Sequence, residues 1–494
     1  MNKAIQQSPK AGKAMQQFFA IIACSSLIFL GGKSWAQETH SFSFLNLDQE
    51  FGKPANSYLF SLNPALYHLS FTENFSYYSI SANDKLNEFR REYDPKSEQN
   101  YDFLFKNYYV LNSKASFAAS VAYQRDNKTG MARSLEKDFY EHYFAFTDTT
   151  RGDTKYEGPQ LWFLYDRQLG KHLGFGIETD YKIERGLKDV YTRCETIVRD
   201  ASLRTGLAYY TEDHKTVVGL YGEYGSVQSK YEAVKELQDA IVKTFFGYHV
   251  FRTENPRSSN NKTDYTNRYS ASAQLEKKDL FTPGLDLQIA FLASGRESTV
   301  EVGSTTTPQD RGYWVRNTNG IHSALSFYPQ GKSYGLQLSH KLALLEDWAR
   351  SGSYDILIIE RDATSNNFGL SFFKSWSQKL SLQTGVSMEQ ITGNYAEYVI
   401  PFEYEEDRLN WGAFVEMEAR INPILNLQFG ASFAQQNPYF YWNTEQFSNA
   451  ALYLGFDRLT EWGTLGVGLQ YACWSPKDGD QNIQQAGLSI FYRR

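Results

Sequence analysis

The sequence predicts an all-β fold, a transmembrane antiparallel up-and-down β-barrel. Three observations predict it. Apolar residues alternate with polar or small residues from about residue 72 to the C-terminus, short and long links alternate between these segments, and an export signal precedes them. Because successive side chains of a strand point to opposite faces, each segment has one apolar and one polar face. Such strands suit a wall with lipid outside and water inside.

Residues 1–36 have the features of a signal peptide. A basic start is followed by the apolar stretch 18–30, and Ser34-Trp35-Ala36 presents small residues at the two positions that signal peptidase recognises. The stretch is too short for a membrane-spanning helix, which needs about 20 residues. We therefore predict cleavage before Gln37, although Ile21-Ile22-Ala23-Cys24 also fits the pattern that precedes a lipid-modified cysteine.

Composition argues against other classes of protein. No later segment approaches the roughly 18 consecutive apolar residues of a membrane helix, which excludes a helical bundle. The formal net charge of -6 argues against nucleic acid as a partner. Aromatic residues make up 16% of the chain and suit both strands and the interfacial girdles of a barrel, although a soluble all-β protein could share this bias.

Residues 37–71 are predicted to form an N-terminal periplasmic or plug segment, and 72–494 the barrel. Within the first of these, Asn63-Pro64-Ala65-Leu66 favours a turn or plug, because proline lacks an N–H and disfavours helix at the residue before it.

About 18 strands are predicted. The alternatives are 14 or 16 if the weakest predicted strands, 72–82, 101–111 and 321–327, are loop, because bacterial single-chain barrels are expected to have an even number of strands. The predicted ranges are 72–82, 101–111, 114–124, 159–167, 172–184, 201–211, 216–227, 266–277, 285–296, 321–327, 333–345, 364–374, 379–391, 409–421, 424–435, 448–456, 463–474 and 484–492. Gly, Pro, Asn and Asp mark most of the tight turns between them.

The links between these strands differ in length in a regular way. Tight turns join every second pair, whereas long links such as 125–158, 228–265 and 298–320 fall between the pairs. Short periplasmic turns and long extracellular loops produce this asymmetry, which places both mature ends on the periplasmic side. The polar stretches 257–264 and 304–308 are interpreted as solvated loop.

Directing the apolar faces to lipid predicts which charged side chains line the lumen. This register is preferred because Arg or Lys at the lipid midplane costs about 2–4 kcal/mol. The predicted lumen-lining residues are Glu178, Asp180, Lys182, Arg204, Glu223, Glu276, Asp286, Lys341, Glu389, Glu416, Glu418 and Arg420. Acids outnumber bases in this set, which favours cations weakly if the barrel conducts. Alternatively, these charges pair across strands and fill the lumen as a structural network.

No catalytic, cofactor-binding or metal-ligating residue is predicted, and no cofactor. The eight histidines are scattered, and no Gly-x-Ser-x-Gly, His-Glu-x-x-His or Cys-His spacing occurs. His142, in Glu141-His142-Tyr143, is the histidine best placed near acids, and we interpret it as a solvated loop residue. An enzyme is therefore not expected. Cys194 and Cys473 both fall on the extracellular side, where a disulfide is conceivable but not implied by two cysteines alone.

The export signal, the Asn63-Pro64-Ala65 tripeptide and the long series of strands resemble outer-membrane barrels related to the long-chain fatty-acid channel family and uncharacterised Gram-negative barrels. In the fatty-acid channels the corresponding segment lies in a plug, so the resemblance implies that 37–71 plugs this barrel. Leu488, Ile490 and Tyr492 share one face, and this resembles a closing strand recognised by the barrel-assembly machinery. Arg493-Arg494 departs from the usual terminal aromatic residue.

The sequence thus predicts an integral protein of the cell outer membrane, acting as a channel or transporter for small solutes. The alternative is a filled structural barrel that serves as a surface anchor or as a component of an export or assembly complex. The expected partners are outer-membrane lipid, the barrel-assembly machinery during biogenesis and a small-molecule solute, and nucleic acid is not expected.

Overall fold

The structure is a computed structural model. It describes residues 63–67, 73–131, 134–148, 150–190, 194–233, 242–254, 261–304, 307–329, 331–377, 379–477, 479 and 481–494. The predicted signal peptide and most of the predicted segment 37–71 lie outside these residues, so the predictions for them stay predictions.

The described part of the chain is all-β apart from two short 3₁₀ helices, Pro64–Leu66 and Phe139–Glu141. Its strands are β1 (Phe75–Asn87), β2 (Ser97–Asn112), β3 (Ala115–Met131), β4 (Phe146–Asp148), β5 (Gly152–Gln168), β6 (Leu173–Lys188), β7 (Cys194–Tyr210), β8 (Thr216–Ala233), β9 (Val242–Phe246), β10 (Val250–Glu254), β11 (Asn261–Lys277), β12 (Leu285–Ser304), β13 (Thr307–Phe327), β14 (Tyr334–Ser351), β15 (Leu357–Ser377), β16 (Leu380–Glu397), β17 (Phe402–Arg420), β18 (Leu425–Gln436), β19 (Phe447–Thr460), β20 (Gly463–Pro476) and β21 (Ile483–Arg493). No helix among the described residues is long and apolar enough to span a membrane.

Eighteen of these strands form one closed antiparallel barrel, and β4, β9 and β10 form a separate small sheet. Each barrel strand pairs with the next barrel strand along the chain, and β1 closes the ring by pairing with β21 from Tyr77↔Arg493 to Asn87↔Ile483. The up-and-down barrel and the number of strands predicted from the sequence are therefore confirmed.

The barrel strands run further than predicted at the end of the long links, which we call the extracellular end as the sequence predicts. The predicted strand 409–421 corresponds to β17, which begins at Phe402, and the predicted long link 298–320 is mostly strand. There β12 and β13 stay paired up to Ser304↔Thr307, so the loop predicted at 304–308 is wrong for Ser304, Thr307 and Pro308. The loop predicted at 257–264 is likewise wrong from Asn261 onward, where β11 begins.

The outer surface of the barrel carries the alternating apolar side chains. On β17, Leu409, Trp411 and Met417 are exposed, whereas Asn410, Glu416 and Glu418 on the alternate positions belong to the opposite face, which we call the inner face. An exposed apolar band of this kind is stable against lipid hydrocarbon and costly against water. The barrel is therefore built to span a membrane.

A short N-terminal segment packs against the inner face near the short turns, at the end predicted to be periplasmic. Asn63 caps the 3₁₀ helix by accepting a hydrogen bond from the Ala65 N–H at 3.0 Å, and its Nδ2 donates to the carbonyls of Leu207 and Leu220 at 3.1 and 3.3 Å. Glycine makes this approach possible, since a Cβ at Gly206 would lie 2.0 Å from Asn63 Oδ1. We call Asn63–Tyr67 the N-terminal anchor.

Candidate functional site

Two long extracellular links fold together over the mouth of the barrel instead of extending into solvent. Residues 134–148 connect toward β5 and contribute β4, while residues 242–254 contribute β9 and β10, and the three strands pair in the order β10-β9-β4. We call these two stretches together the cap. Backbone pairing between them means that neither link is placed independently of the other.

The cap is built around aromatic side chains that pack against one another and against the wall. Tyr143 and Phe144 are almost fully buried with Trp314 and Tyr395 of the wall in one cluster. Phe144 occupies the space above Gly312, where a Cβ would lie 2.0 Å from the ring. Burying large aromatic side chains is among the strongest stabilising contributions that a small surface can make, so this packing holds the cap in place.

Lysines on the inner face of two wall strands, β3 and β6, bind cap residues 137–148. Lys188 of β6 donates to both carboxylate oxygens of Asp148 at 2.9 and 2.8 Å, and both side chains are about 1% exposed. Lys128 of β3 donates to the Lys137 carbonyl at 2.8 Å and contacts Asp138 at 3.2 Å. Buried charges remain ionised only when paired in this way, so each pair fixes the cap relative to its strand.

The other side of the cap is bound to the opposite arc of the wall. The Tyr143 hydroxyl donates to Asp347 of β14, and the Arg316 Nε of β13 donates to the same carboxylate at 2.8 Å. Glu397 of β16 accepts from the Tyr248 N–H at 3.2 Å and lies 3.0 Å from His249 Nδ1. Contacts on β3, β6, β11, β13, β14 and β16 spread across more than half of the ring, so the cap crosses the extracellular mouth.

His142 lies in a buried polar cluster of the cap rather than in a solvated loop, which corrects that expectation. Its Nε2 is 4.0 Å from Glu136 Oε2, and its side chain is 24% exposed. Glu136, His142 and Asp264 bring three possible metal-ligand atoms within 4.8 Å of one another. Burial together with Lys262 and Arg296 lowers the pKa of His142 to about 3, so its imidazole is neutral at physiological pH.

Lys262 supplies the positive charge that this cluster needs. Its Nζ lies 2.8 Å from Glu136 Oε1 and 2.8 Å from Asp264 Oδ2, and the lysine and glutamate side chains are fully buried. The ammonium therefore occupies the position that a cation would take between the two carboxylates. The cluster is an ion-pair junction between the cap and β11, and the cationic neighbours of His142 disfavour a second cation there.

A row of three arginines crosses the inner face next to this junction. In the strand register Arg268 of β11 lies opposite Arg296 of β12, and Arg296 lies opposite Arg316 of β13. Arg268 pairs with Asp200, and Arg316 pairs with Asp347. Like charges directly opposite each other in a sheet repel, so this row needs compensating negative charge nearby.

The structure brings several predicted lumen-lining residues into contact. Arg204 lies between Glu178, at 3.1 Å, and Glu223, at 2.7 Å. Lys182 pairs with Glu184, and Asp180 accepts from Gln160. The contacts of the remaining acids are Glu389 with Ser365 and Asn410, Glu418 with Asn426, Glu276 with Lys278, and Asp286 with the Asp279 N–H.

Glu416, Lys341 and Arg420 complete the predicted set on the inner positions of their strands. Charge pairs thus occur among the twelve residues, but they are distributed along the wall rather than gathered at one place. That these residues line a conducting lumen stays a prediction.

The cap and the arginine row are what sequence reasoning missed. One signal was available, because five of the eight residues in 139–146 are aromatic, an unusual density for a solvated loop. The arginines gave no such signal, since Arg316 lies in a stretch interpreted as loop. Cys194 and Cys473 are both free thiols in the structure.

Comparison with known proteins finds one family and a set of barrels. The model of a family of unknown function (DUF6850) matches residues 64–492. No curated protein matches the chain significantly.

Solved structures resemble it at low identity. The ferric preacinetobactin receptor BauA of Acinetobacter baumannii is 8% identical, covering 86% of this chain and 80% of that one with a TM-score of 0.42. The alcaligin outer membrane receptor FauA of Bordetella pertussis is 8% identical, with 86% and 76% covered and a TM-score of 0.46. OccAB4 of Acinetobacter baumannii is 14% identical, with 86% and 98% covered and a TM-score of 0.35. Similarities this weak indicate nothing about what this chain binds or transports.

Proposed function

The chain belongs to the family of unknown function DUF6850, and we propose that it is an outer-membrane channel or transporter for small solutes, closed on its extracellular side by the cap. The proposal rests on the barrel and its two unlike faces. It includes no catalytic step and no cofactor.

The width of the barrel is the observation that carries this proposal. Eighteen strands spaced about 4.8 Å apart and tilted by about 40° give a circular wall of about 110 Å circumference and about 18 Å radius. Barrels of about eight strands are filled by their own side chains, whereas those of about 16–18 strands leave an aqueous channel. The wall side chains alone therefore leave room for a solute path.

Two elements control that path in this proposal. The cap closes the extracellular end, and the N-terminal anchor narrows the inner face near Gly206 at the periplasmic end. Transport then requires the cap to move as a unit, because its two links are joined by the β10-β9-β4 sheet. Lumen charges such as Arg204 with Glu178 would contact the passing solute.

Location and biogenesis follow from the same architecture. We place the barrel in the cell outer membrane, with lipid on its exposed apolar band and the barrel-assembly machinery acting on the closing strand β21. The proposal takes no hydrophobic cargo from the resemblance to long-chain fatty-acid channels, because the charged inner face favours a polar solute.

A second candidate function is a filled structural barrel that anchors an extracellular surface. The observation that favours it is the set of buried ion pairs that bind the cap to the wall, since such pairs also suit a permanent closure. The two functions differ in whether removing cap contacts opens a path.

Liposome swelling separates the two candidates. Full-length protein and a Lys262→Met variant are refolded into liposomes and diluted into solutes of increasing mass, with heat-denatured protein as the control. The transport proposal predicts swelling in small neutral sugars that is faster for Lys262→Met than for the wild type. Impermeable liposomes with both proteins, each shown to be folded by its heat-dependent gel mobility, would favour the structural barrel.

A further inference from the structure

The arginine row contains one guanidinium that the fold leaves without a partner. Arg268 and Arg316 each have an acid in direct contact, Asp200 and Asp347 respectively. Arg296 lies between them in the register, and no hydrogen bond or ion pair to it is found among the described residues. The centre of the row thus carries a positive charge that no neighbouring acid neutralises by contact.

Packing holds this unpaired group in a defined position. The Arg296 guanidinium carbon is 5.9 Å from the ring centroid of Trp314, and that of Arg316 is 5.8 Å from the same ring. Trp314 is only 2% exposed, so both guanidinium groups lie against a ring that its packing holds in place. Arg296 itself remains partly exposed on the inner face. A guanidinium held by an aromatic ring and open on one side is preorganised for a ligand.

The arginines of the row also act electrostatically on two residues of the cap, His142 and Glu141. Lys262 and Arg296, with Arg316, act with burial to lower the pKa of His142 to about 3, against the opposing effect of Asp138. Glu141 of the cap interacts electrostatically with both Arg296 and Arg316, but it contacts neither.

We propose that Arg296, flanked by Arg268 and Arg316, is an anion-binding subsite of the lumen that takes a carboxylate or phosphate group of a solute. The planar guanidinium presents a pair of N–H donors that match the two oxygens of such a group. The subsite deepens the proposed transport function, on which its role in transport rests, and it assigns an anionic solute where the wider lumen composition suggested weak cation preference.

Direct titration tests the subsite. The full-length chain, refolded in neutral detergent at low ionic strength, is titrated calorimetrically with inorganic phosphate in one arm and malonate in the other. Arg296→Gln is compared with Arg199→Gln, a control on the exposed outer face of β7, whose guanidinium contacts Gln228 at 2.9 Å. We expect saturable binding that weakens about 10–100-fold in Arg296→Gln and stays unchanged in Arg199→Gln.

Two further variants test the roles of the paired donors and of the neighbouring carboxylate. Arg296→Lys retains the charge but not the paired donors, and is expected to lose part of the affinity. Glu141→Gln removes the carboxylate that competes for the same field, and is expected to bind each anion more tightly. Binding in only one arm supports the subsite and identifies its source as phosphate or carboxylate.

Equal heats for the wild type and Arg296→Gln, with both folded by heat-dependent gel mobility, would overturn the subsite. This readout needs no conduction, so the two proposals fail separately. Anion binding without any solute permeation leaves the subsite standing and removes the transport role, whereas permeation without anion binding does the reverse.

Discussion

Lys262 of β11 is a buried link between the wall and Glu136 of the cap. Its ammonium is the shared partner of Glu136 and Asp264, and the lysine and glutamate side chains are fully buried. Removing one member of a buried ion pair leaves an uncompensated charge and costs about 3–5 kcal/mol. We expect Lys262→Met to release the cap while leaving the barrel folded.

Hydrogen–deuterium exchange measures this release. Amides of residues 134–148 should lose protection in Lys262→Met, and those of strands far from β11, such as β18, should not. Lys155→Met is the matched control, because its side chain is half-exposed and its one ion pair among the described residues is with the exposed Asp189 at 3.7 Å. Unchanged protection of 134–148 in Lys262→Met would mean that the aromatic packing and the other ion pairs, such as Lys188 with Asp148, hold the cap without Lys262.

Two residues make the stability of the cap depend on pH in opposite directions. His142 has its pKa lowered to about 3 in the folded cap, mainly by burial, so the stability it contributes is present above pH 6.5 and is lost as pH falls toward 3. Burial raises the pKa of Glu136 to about 7, so its contribution is present below pH 4.5 and is lost as pH rises through 7.

Paired variants measured by exchange at pH 7.5 and pH 5 test these signs. Relative to the wild type, His142→Gln should gain cap protection on acidification, because it no longer has to take up a proton when the cap opens. Glu136→Gln should lose cap protection on acidification relative to the wild type, because it lacks the carboxyl group whose protonation stabilises the closed cap. Parallel pH profiles for the wild type and His142→Gln would show that the imidazole is solvated after all.

At the scale of single strands, the sequence predicts the part of each strand that lies in lipid. On β17 the prediction began at Leu409, where alternate exposed apolar residues begin, whereas the strand itself starts at Phe402. Residues such as Glu403, Glu405 and Asp407 are exposed above the apolar band. There water lies on the outer side too, so the contrast between faces that predicts a strand disappears.

The structure of the two links that form the cap leaves no periodic signal in the sequence, and the reason differs from that for the strand ends. The strands β4 and β9 pair with each other across nearly a hundred residues of chain, and such non-local pairing leaves no periodic signal in either segment. His142 was interpreted as solvated because its partners Lys262 and Asp264 lie on β11. The site therefore follows from the closed barrel, which brings these strands and links together, and not from a local motif.

The assigned register predicts unequal tolerance to substitution on neighbouring positions of one strand. Val415 lies on the outer face at the middle of the apolar band, and Glu416 lies on the inner face. Val415→Arg should lower the free energy of unfolding by about 2–4 kcal/mol, because it places a charge in lipid. Leu427→Arg should have a smaller effect, because Leu427 lies nearer the interface. Glu416→Leu and Glu418→Leu should fold and alter only the interior.

Refolding yield into detergent and lipid vesicles, followed by heat-dependent gel mobility, compares these variants. Similar yields for Val415→Arg and Glu416→Leu would contradict the assignment of the two faces.

The N-terminal anchor depends on glycine in the wall. A methyl group at Gly206 would lie 2.0 Å from Asn63 Oδ1, whereas at Gly222 on the neighbouring strand the nearest atom is 3.9 Å away. We expect Gly206→Ala to displace the anchor and Gly222→Ala to leave it seated. The measurement is maleimide labelling of Ala65→Cys in a chain whose other cysteines are replaced by serine.

Labelling should become at least about tenfold faster with Gly206→Ala, because Ala65 is fully buried in the seated anchor. Equally slow labelling in the two glycine variants would show that the anchor tolerates the methyl group and is not held by its contact with β7.

For the molecule as a whole, the wall and its closures have separate roles. The 18-strand wall is wide enough for a lumen, and the cap and the N-terminal anchor reduce it at opposite ends. The arginine row lies on the wall next to the cap. In the transport proposal, a solute bound at Arg296 therefore lies beside the cap, which must move to let it pass. Closure and recognition are thereby placed at one level of the barrel.

Single-channel recording in planar bilayers tests the central claim, a conducting barrel that the cap closes. The wild type and Lys262→Met are inserted under identical conditions, with Lys155→Met as the control. We predict rare, short openings for the wild type and Lys155→Met, and long-lived conducting steps for Lys262→Met. Folded Lys262→Met protein that carries no current at any voltage, although exchange shows its cap released, would contradict the account.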